Sequence, residues 1–469
     1  MANGAKRQGG GPALSFWLLA TFLLILWIAG GASRADVAGQ ALVRLSAWTL
    51  LVIHVLTAPG FHWRTIREPA IIVLAMALVV AFQLIPLPPA IWTALPGRDI
   101  FVEAASGLGE EQPWRSLSIS PGATINALSS LVVPIAVLVL AAGLTREQHG
   151  KLLVLLIALV IGGALVALVE FSGRGFNHPF VNNQIEAVSG NFANRNHFAL
   201  FLAQGALLCI VWAFRRHAKA WKAAAAAALV VLLALVILAT GSRSGMVVGA
   251  LSLILAVFIV RDGLRKLLLS LPRKYAAGVL ALTGLVLAAS VLLSIRLGRA
   301  DAIARVLQLD SADDVRGSVW VVVLDMVGRY FPAGTGFGTF DPAFRISEPH
   351  GMLASQYINH AHNDWLEVVL DGGIVGLALV LGGLAWFVWR SYGAWFRSAH
   401  RDSPDDTALA RAGSAIILLV FIASIPDYPA RTPMIMAMVA LGALWMTPSP
   451  ERYRERRGRS PEDRSAPLR

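Results

Sequence analysis

Apolar positions in this chain do not recur at the spacing of a surface helix or alternate as in a half-buried strand. They gather into twelve runs separated by short polar clusters. The runs cover about residues 13–30, 41–58, 70–86, 126–143, 151–171, 197–214, 223–240, 244–260, 276–295, 366–389, 412–426 and 432–447. An α-helix crosses the hydrocarbon core with roughly 17–25 mostly apolar residues. The pattern predicts an all-α integral membrane protein of about 12 transmembrane helices, with a large, partly helical extracytoplasmic loop before helix 10. The run at 41–58 contains Arg44, and the last two runs are short. The first run follows Lys6 and Arg7, as a signal peptide core would. Its 18 residues and the lack of a small-residue cleavage site predict a retained anchor instead.

Composition sharpens this picture. The 469 residues are 56% apolar and 14% charged, with a mean hydropathy of +0.64. Soluble domains are about half apolar and about a quarter charged, so disorder and a single soluble domain are excluded. Cys209, the sole cysteine, lies inside an apolar run, which excludes a disulfide-stapled fold. A net charge of +12 could suggest nucleic acid, but its distribution argues against that. An even number of spans puts both termini on one side, and the positive-inside rule makes that side cytoplasmic. That side then holds 26 of the 40 basic residues and a net charge of +16, against −4 outside. Membrane lipids are expected partners, and nucleic acid is not. On this reading residues 1–450 form a polytopic domain, 296–365 a large periplasmic loop within it, and 451–469 a basic cytoplasmic tail. The segments 87–125 and 172–196 also face outward, as does the turn at 240–245.

Three outward segments concentrate chemistry against helix ends. Asn194-Arg195-Asn196-His197 runs straight into an apolar helix. Such groups are expensive facing lipid and cheap lining a wet cavity; helix capping would account for one asparagine but not for Arg195 and His197. Arg243, in Ser242-Arg243-Ser244-Gly245, sits between two spans with almost no loop. It either snorkels to the interface or binds an anion at the next helix start. His360-Ala361-His362-Asn363-Asp364 precedes a glycine-rich span; histidine suits proton transfer near neutral pH. A His-x-His pair with Asp364 could also hold a metal, but no nearby cluster supplies further ligands, and no metal is expected. The glycine string at 334–338 lacks the strand that a nucleotide loop requires. It reads as a turn ending a helix over roughly 314–330. Arg316 lies in that helix.

In these features the chain resembles the O-antigen ligase/polymerase superfamily of bacterial envelope glycosyltransferases. His362-Asn363, then nine residues to Gly373 and two more to Gly376, is similar to that family's signature entering a membrane helix. The segments at 194–197, 242–245 and 334–340, and Gln83-Leu84-Ile85-Pro86-Leu87-Pro88, are similar too. The resemblance covers about residues 80–440. It implies an inner-membrane enzyme active on its periplasmic face. Such an enzyme transfers a glycan, with inversion, from undecaprenyl diphosphate to a sugar hydroxyl, on lipid A–core or on a lipid-linked repeat, without metal, cofactor or nucleotide sugar. His362 would then be the base, Arg195 and Arg243 would stabilise the diphosphate, and Asn363 would orient the base or the sugar. His197, Asn194, Arg316 and His360 are further substrate-binding candidates. The rival is a polysaccharide flippase or another twelve-span transporter. Its usual signs, two similar halves and charges at mid-membrane, are not found in the sequence.

Overall fold

The computed structural model describes residues 11–58, 62–173, 178–182, 188–215, 219–270, 311–353, 358–397 and 403–447, with only the backbone of 11–13 and 311–316. The expected span at 276–295, residues 296–310 of the outer loop and the tail at 451–469 lie outside these. The other eleven apolar runs all form helices. They are α1 (Gly11–Ala29), α2 (Ala38–Thr57), α3 (Trp63–Phe82), the joined α6 (Pro121–Ser130) and α7 (Val132–Ala141), and α8 (Arg146–Phe171). Then come α9 (Arg195–Phe214), α10 (Ala220–Ala239), α11 (Arg243–Ser270), α14 (Asp364–Tyr392), α15 (Pro404–Ala423) and α16 (Pro433–Met446). Among the described residues nine helices are long and apolar enough to cross a membrane; Leu14–Ala29 and Pro433–Met446 are two shorter apolar ones.

The bundle is built around α9, whose apolar stretch is 83% buried. It packs against α8, α10, α11 and α15, so its all-round apolar sequence is that of a central helix. Lipid tails supply no hydrophobic drive for helix pairing, and close approach of small residues replaces it. Gly413 of α15 and Gly442 of α16 meet in this way: a Cβ at Gly413 would collide with the Gly442 carbonyl, and one at Gly442 would crowd that of Gly413. The first run packs into this core through Leu19, Phe22, Leu23 and Leu26, all fully buried.

The expectation of a purely helical chain needs one correction. In the segment between α3 and α6, β1 (Pro86–Leu87) pairs antiparallel with β2 (Arg115–Ser116). Between these strands lie the short α4 (Pro89–Trp92) and α5 (Asp99–Gly107). Prolines at 86, 88 and 89 stop α3 and favour extended backbone. The late loop contributes α12 (Ser311–Tyr330) and α13 (Phe340–Ser347). Arg345 of α13 pairs with Asp341 one turn back at 2.7 Å.

Helix α14 is broken at Gly373, where φ is 55° and ψ is −138°. This backbone conformation is essentially confined to glycine. A break inside a membrane helix strands carbonyls and amides that must find new partners. The turn at 334–338 supplies them. Thr335 N–H donates to the Leu370 carbonyl at 3.0 Å, and Gly336 N–H to that of Asp371 at 2.9 Å. Gln83, from the end of α3, donates to the same Asp371 carbonyl at 3.0 Å and accepts from Phe337 N–H at 2.8 Å. Ile374 N–H donates to the Pro332 carbonyl at 2.9 Å. Any Cβ at Gly373 would collide with that Pro332 oxygen. Gly373→Ala is therefore expected to cost about 3 kcal/mol or more, read as loss of monodisperse protein and a lower melting temperature in detergent.

Candidate active site

The site forms where the N-terminal ends of α9, α11 and α14 meet the link between α15 and α16. Asn194 caps α9, its Oδ1 accepting from Asn196 N–H at 2.8 Å; such a cap contributes about 1 kcal/mol. Asn363 caps α14 in the same way, accepting from Leu366 N–H at 3.0 Å. That commits its side-chain oxygen. The start of α14 is docked to the link by Asp364 N–H, which donates to the Ser424 carbonyl at 3.0 Å.

At the centre is Asp427, 1% exposed. Its Oδ2 accepts from Asn194 Nδ2 at 3.0 Å and from Asn196 Nδ2 at 2.6 Å. Its Oδ1 accepts from Tyr428 N–H at 3.0 Å and faces two imidazoles, His362 Nδ1 at 3.4 Å and His197 Nε2 at 3.6 Å. The Nδ1 of His362 is buried and makes no aligned hydrogen bond among the described residues, so its contact with Asp427 is electrostatic. The side chain as a whole is 25% exposed, so its exposure lies on the rest of the ring. His362 also has φ of 48°, the one positive value at a non-glycine among the described residues. Backbone of that kind persists only where its surroundings enforce it.

His197 is held from its other side by the Thr432 hydroxyl, 2.9 Å from Nδ1. Ser242, just before Arg243, donates to Asn196 Oδ1 at 2.7 Å, which ties the α10–α11 turn into the same cluster. The Tyr428 ring stands against three imidazoles, those of His360, His197 and His362, at centroid distances of 4.2, 5.0 and 5.0 Å.

A second cluster adjoins the first. Arg431 reaches Asp364 and Glu367, each at 3.2 Å, and Asp371 at 3.9 Å. Glu367 is fully buried and accepts from His360 Nδ1 at 2.9 Å and Ala361 N–H at 2.8 Å. Asp371 accepts from Gly338 N–H at 3.0 Å, joining this cluster to the turn that seals the helix break.

Burial would raise the Asp427 carboxyl pKa. Its electrostatic contacts with His197, and then with His362, outweigh this and hold the group well below 3.8. Burial and the Asp427 charge push the Tyr428 phenol up, so it stays a neutral donor. For Arg431 burial alone would favour deprotonation, but Glu367, Asp364 and Asp371 outweigh it and raise its pKa. The unfolded Asp427 binds protons more readily than the folded one. Its stabilisation is thus complete above about pH 4 and is lost as pH falls through the lower folded value. The melting-temperature gap between wild type and Asp427→Asn is expected to close as pH falls below about 4.

Asn194, His197, His360, His362 and Asn363 are thus brought together around Asp427 and Tyr428. Arg195 lies in the chain between the two asparagines that bind Asp427, and Arg243 follows Ser242; both are half-buried. Arg316 falls in the first turns of α12, and its side chain is outside the described part. Glu367, Asp371, Asp427, Tyr428 and Arg431 are absent from the sequence-derived candidates, and Asp364 is considered there only as a metal ligand, although two signals pointed to the group. The three acids at 364, 367 and 371 recur at helical spacing along one face of an apolar span. The link Ser424-Ile425-Pro426-Asp427-Tyr428-Pro429-Ala430-Arg431 carries an acid and a base between two spans that need no such charges.

Fold and site together define a multi-pass helical membrane protein with a carboxylate–histidine cluster where several helices begin. Residues 228–381 match the family model described as O-antigen ligase, which supports the O-antigen ligase/polymerase superfamily for this stretch. It contains the Arg243 turn, the sealing turn, His360, His362 and the broken helix. The matched stretch stops short of both the α9 entrance and the Asp427 link. A search of curated proteins found no match to the chain.

Proposed function

We propose that the chain transfers a glycan from undecaprenyl diphosphate to a sugar hydroxyl on the periplasmic face of the bacterial inner membrane, without metal or nucleotide sugar. The observation that carries this reading is the pairing of buried Asp427 with the partly exposed His362. A carboxylate at Nδ1 favours the tautomer with its proton there, which leaves Nε2 as the base. His362 Nε2 takes the acceptor hydroxyl's proton as that oxygen attacks the anomeric carbon. The bond from that carbon to the diphosphate oxygen breaks on the opposite face, giving inversion. The electron pair leaves with the diphosphate. Arg195 and Arg243, at the starts of α9 and α11, are suited to the charge that develops there. His197 and His360, tied to Asp427 and Glu367, act as positioning residues, with Asn194 fixing Asp427 and Asn363 steadying α14 or the sugar.

Complementation of a deletion strain with His362→Ala, Arg195→Ala and Arg243→Ala tests the assignment. Surface glycan is run on a gel beside a blot for protein level. Loss of about 10²–10⁴-fold in transfer is expected for the base. Glycan reduced to single repeats marks a polymerase; long lipid-linked chains that never reach lipid A mark a ligase. Normal glycan from all three variants removes the catalytic assignment and moves transport ahead. Alkaline phosphatase fusions after residues 125 and 340 are expected to be active, and an inactive fusion at 340 overturns the periplasmic assignment.

A further inference from the structure

Away from Asp427, the segment between β1 and α6 encloses a cavity of about 340 Å³, at the small end of ligand-binding sites. Trp92, Phe101 and Trp114 line it together with Arg115, Ser116 and Ser118. Trp92 is 1% exposed, and its indole N–H donates to the Pro113 carbonyl at 2.8 Å, so it is a fixed wall. The Arg115 guanidinium stands 5.3 Å from the Trp92 ring centre and 5.8 Å from that of Phe101. The neighbouring Trp114 lies at the rim, where it is 66% exposed. A large aromatic face left open at the mouth of a cavity is unexplained by packing.

The chemistry of the lining is specific. Arg98, buried beneath the cavity, spends its guanidinium on the carbonyls of Pro96, Leu117 and Gly334. Arg115 is thus the cation that remains, and it is seated against two rings. That is a poor match for a diphosphate, which calls for more than one fixed guanidinium or amide cluster. A sugar ring suits it better, since one face of C–H groups stacks on indole while the rim of hydroxyls meets the Arg115 donors and Ser116 Oγ, which donates to the Ser118 carbonyl and can still accept. The cavity is also stitched to the turn that seals α14. Ile119 N–H donates to the Thr335 carbonyl at 2.9 Å, the Thr124 hydroxyl to that of Phe337 at 2.9 Å, and Arg98 to that of Gly334 at 2.9 Å. A ligand held here therefore lies at the same end of the bundle as the Asp371–Arg431 cluster.

We infer that this cavity is a sugar-binding subsite in which Trp114 stacks on one ring of the glycan substrate and Arg115 and Ser116 bind its hydroxyls. It deepens the glycosyl-transfer reading and rests on it. The probe is the repeat oligosaccharide released by mild acid from the producing strain's own surface glycan. It is titrated into purified full-length protein by saturation-transfer difference NMR, beside Trp114→Ala and His362→Ala. Wild type is expected to bind, Trp114→Ala to bind at least about tenfold more weakly, and His362→Ala to bind as wild type does while failing to transfer. Trp114→Ala should keep its melting temperature and membrane level. If instead it loses those with affinity unchanged, Trp114 is an interfacial anchor and the subsite is overturned. Absence of binding by wild type overturns it as well. Weakened binding by Trp114→Ala together with normal transfer by His362→Ala leaves the subsite standing and removes the catalytic reading. A raised KM for free oligosaccharide alone assigns the subsite to the acceptor, and one for the lipid-linked repeat alone assigns it to the donor.

Discussion

Asp427→Asn is expected to lower glycan transfer by about 10³–10⁴-fold while the protein stays in the membrane at its normal level. The amide has the shape of the carboxyl, so its oxygen still accepts from Asn194 and Asn196. What changes is the Oδ1 side, where an NH₂ now faces His362 Nδ1 and His197 Nε2 and no longer accepts from Tyr428 N–H. A donor at Nδ1 of His362 reverses the preferred tautomer and puts the ring proton on Nε2, where the base must be empty. Replacing a buried aspartate that orients a histidine in this way costs about 10⁴-fold in rate. The negative charge that would stabilise the imidazolium is lost as well. Transfer is measured with purified protein and lipid-linked repeats, against a blot and a melting curve. More than a tenth of wild-type activity in a fully folded variant would remove Asp427 from the mechanism.

Arg431→Met should act on folding instead. Arg431 is 19% exposed and faces three acids, of which Glu367 and Asp371 are fully buried. Removing one partner of such a buried set costs about 3–5 kcal/mol, because the remaining charge is left unanswered. Protein level in the membrane and melting temperature should both fall sharply. Asp371→Asn in the same chain is expected to restore part of the loss, since it removes one of the acids that the arginine answered. The double-mutant cycle separates that coupling from general damage. A stable Arg431→Met protein, or a double variant no better than the single one, would show that the cluster is balanced by other groups.

Much of the bundle was legible because a membrane helix writes itself locally. Every apolar run within the described residues became a helix, and the caps at Asn194 and Asn363 stand where short polar residues met those runs. The α12 helix and the turn after it also followed from local signals, acids at its start and glycines beyond its end. The β1–β2 ladder was not legible: two residues on each side, 28 positions apart at the closest pair, carry no periodicity to detect. The site was legible by halves. Histidines and arginines stand out at the mouths of apolar runs, whereas Asp427 and Arg431 acquire meaning only from partners more than 60 residues away. The acids of α14 were concealed differently, because an apolar average over a span dilutes three carboxylates on one face. Gly373 was noticed as part of a spaced pattern, but its reason, a helix break filled by a distant turn, exists only in three dimensions.

The position of Arg431 late in the chain sets an order on biogenesis. Asp364, Glu367 and Asp371 enter the membrane with α14, whereas the arginine that answers them arrives after α15 has been threaded. Until then α14 is a span with three acids on one face and a break in its backbone, two features that lipid does not tolerate well. A nascent chain stalled between residues 392 and 424 would carry this helix without its counter-charge, and Asp427 would not yet have joined the histidines. Such an intermediate is a natural substrate for membrane quality control and holds no assembled site. The last helical hairpin thus acts as a latch: its insertion is the step that makes the protein both stable and competent.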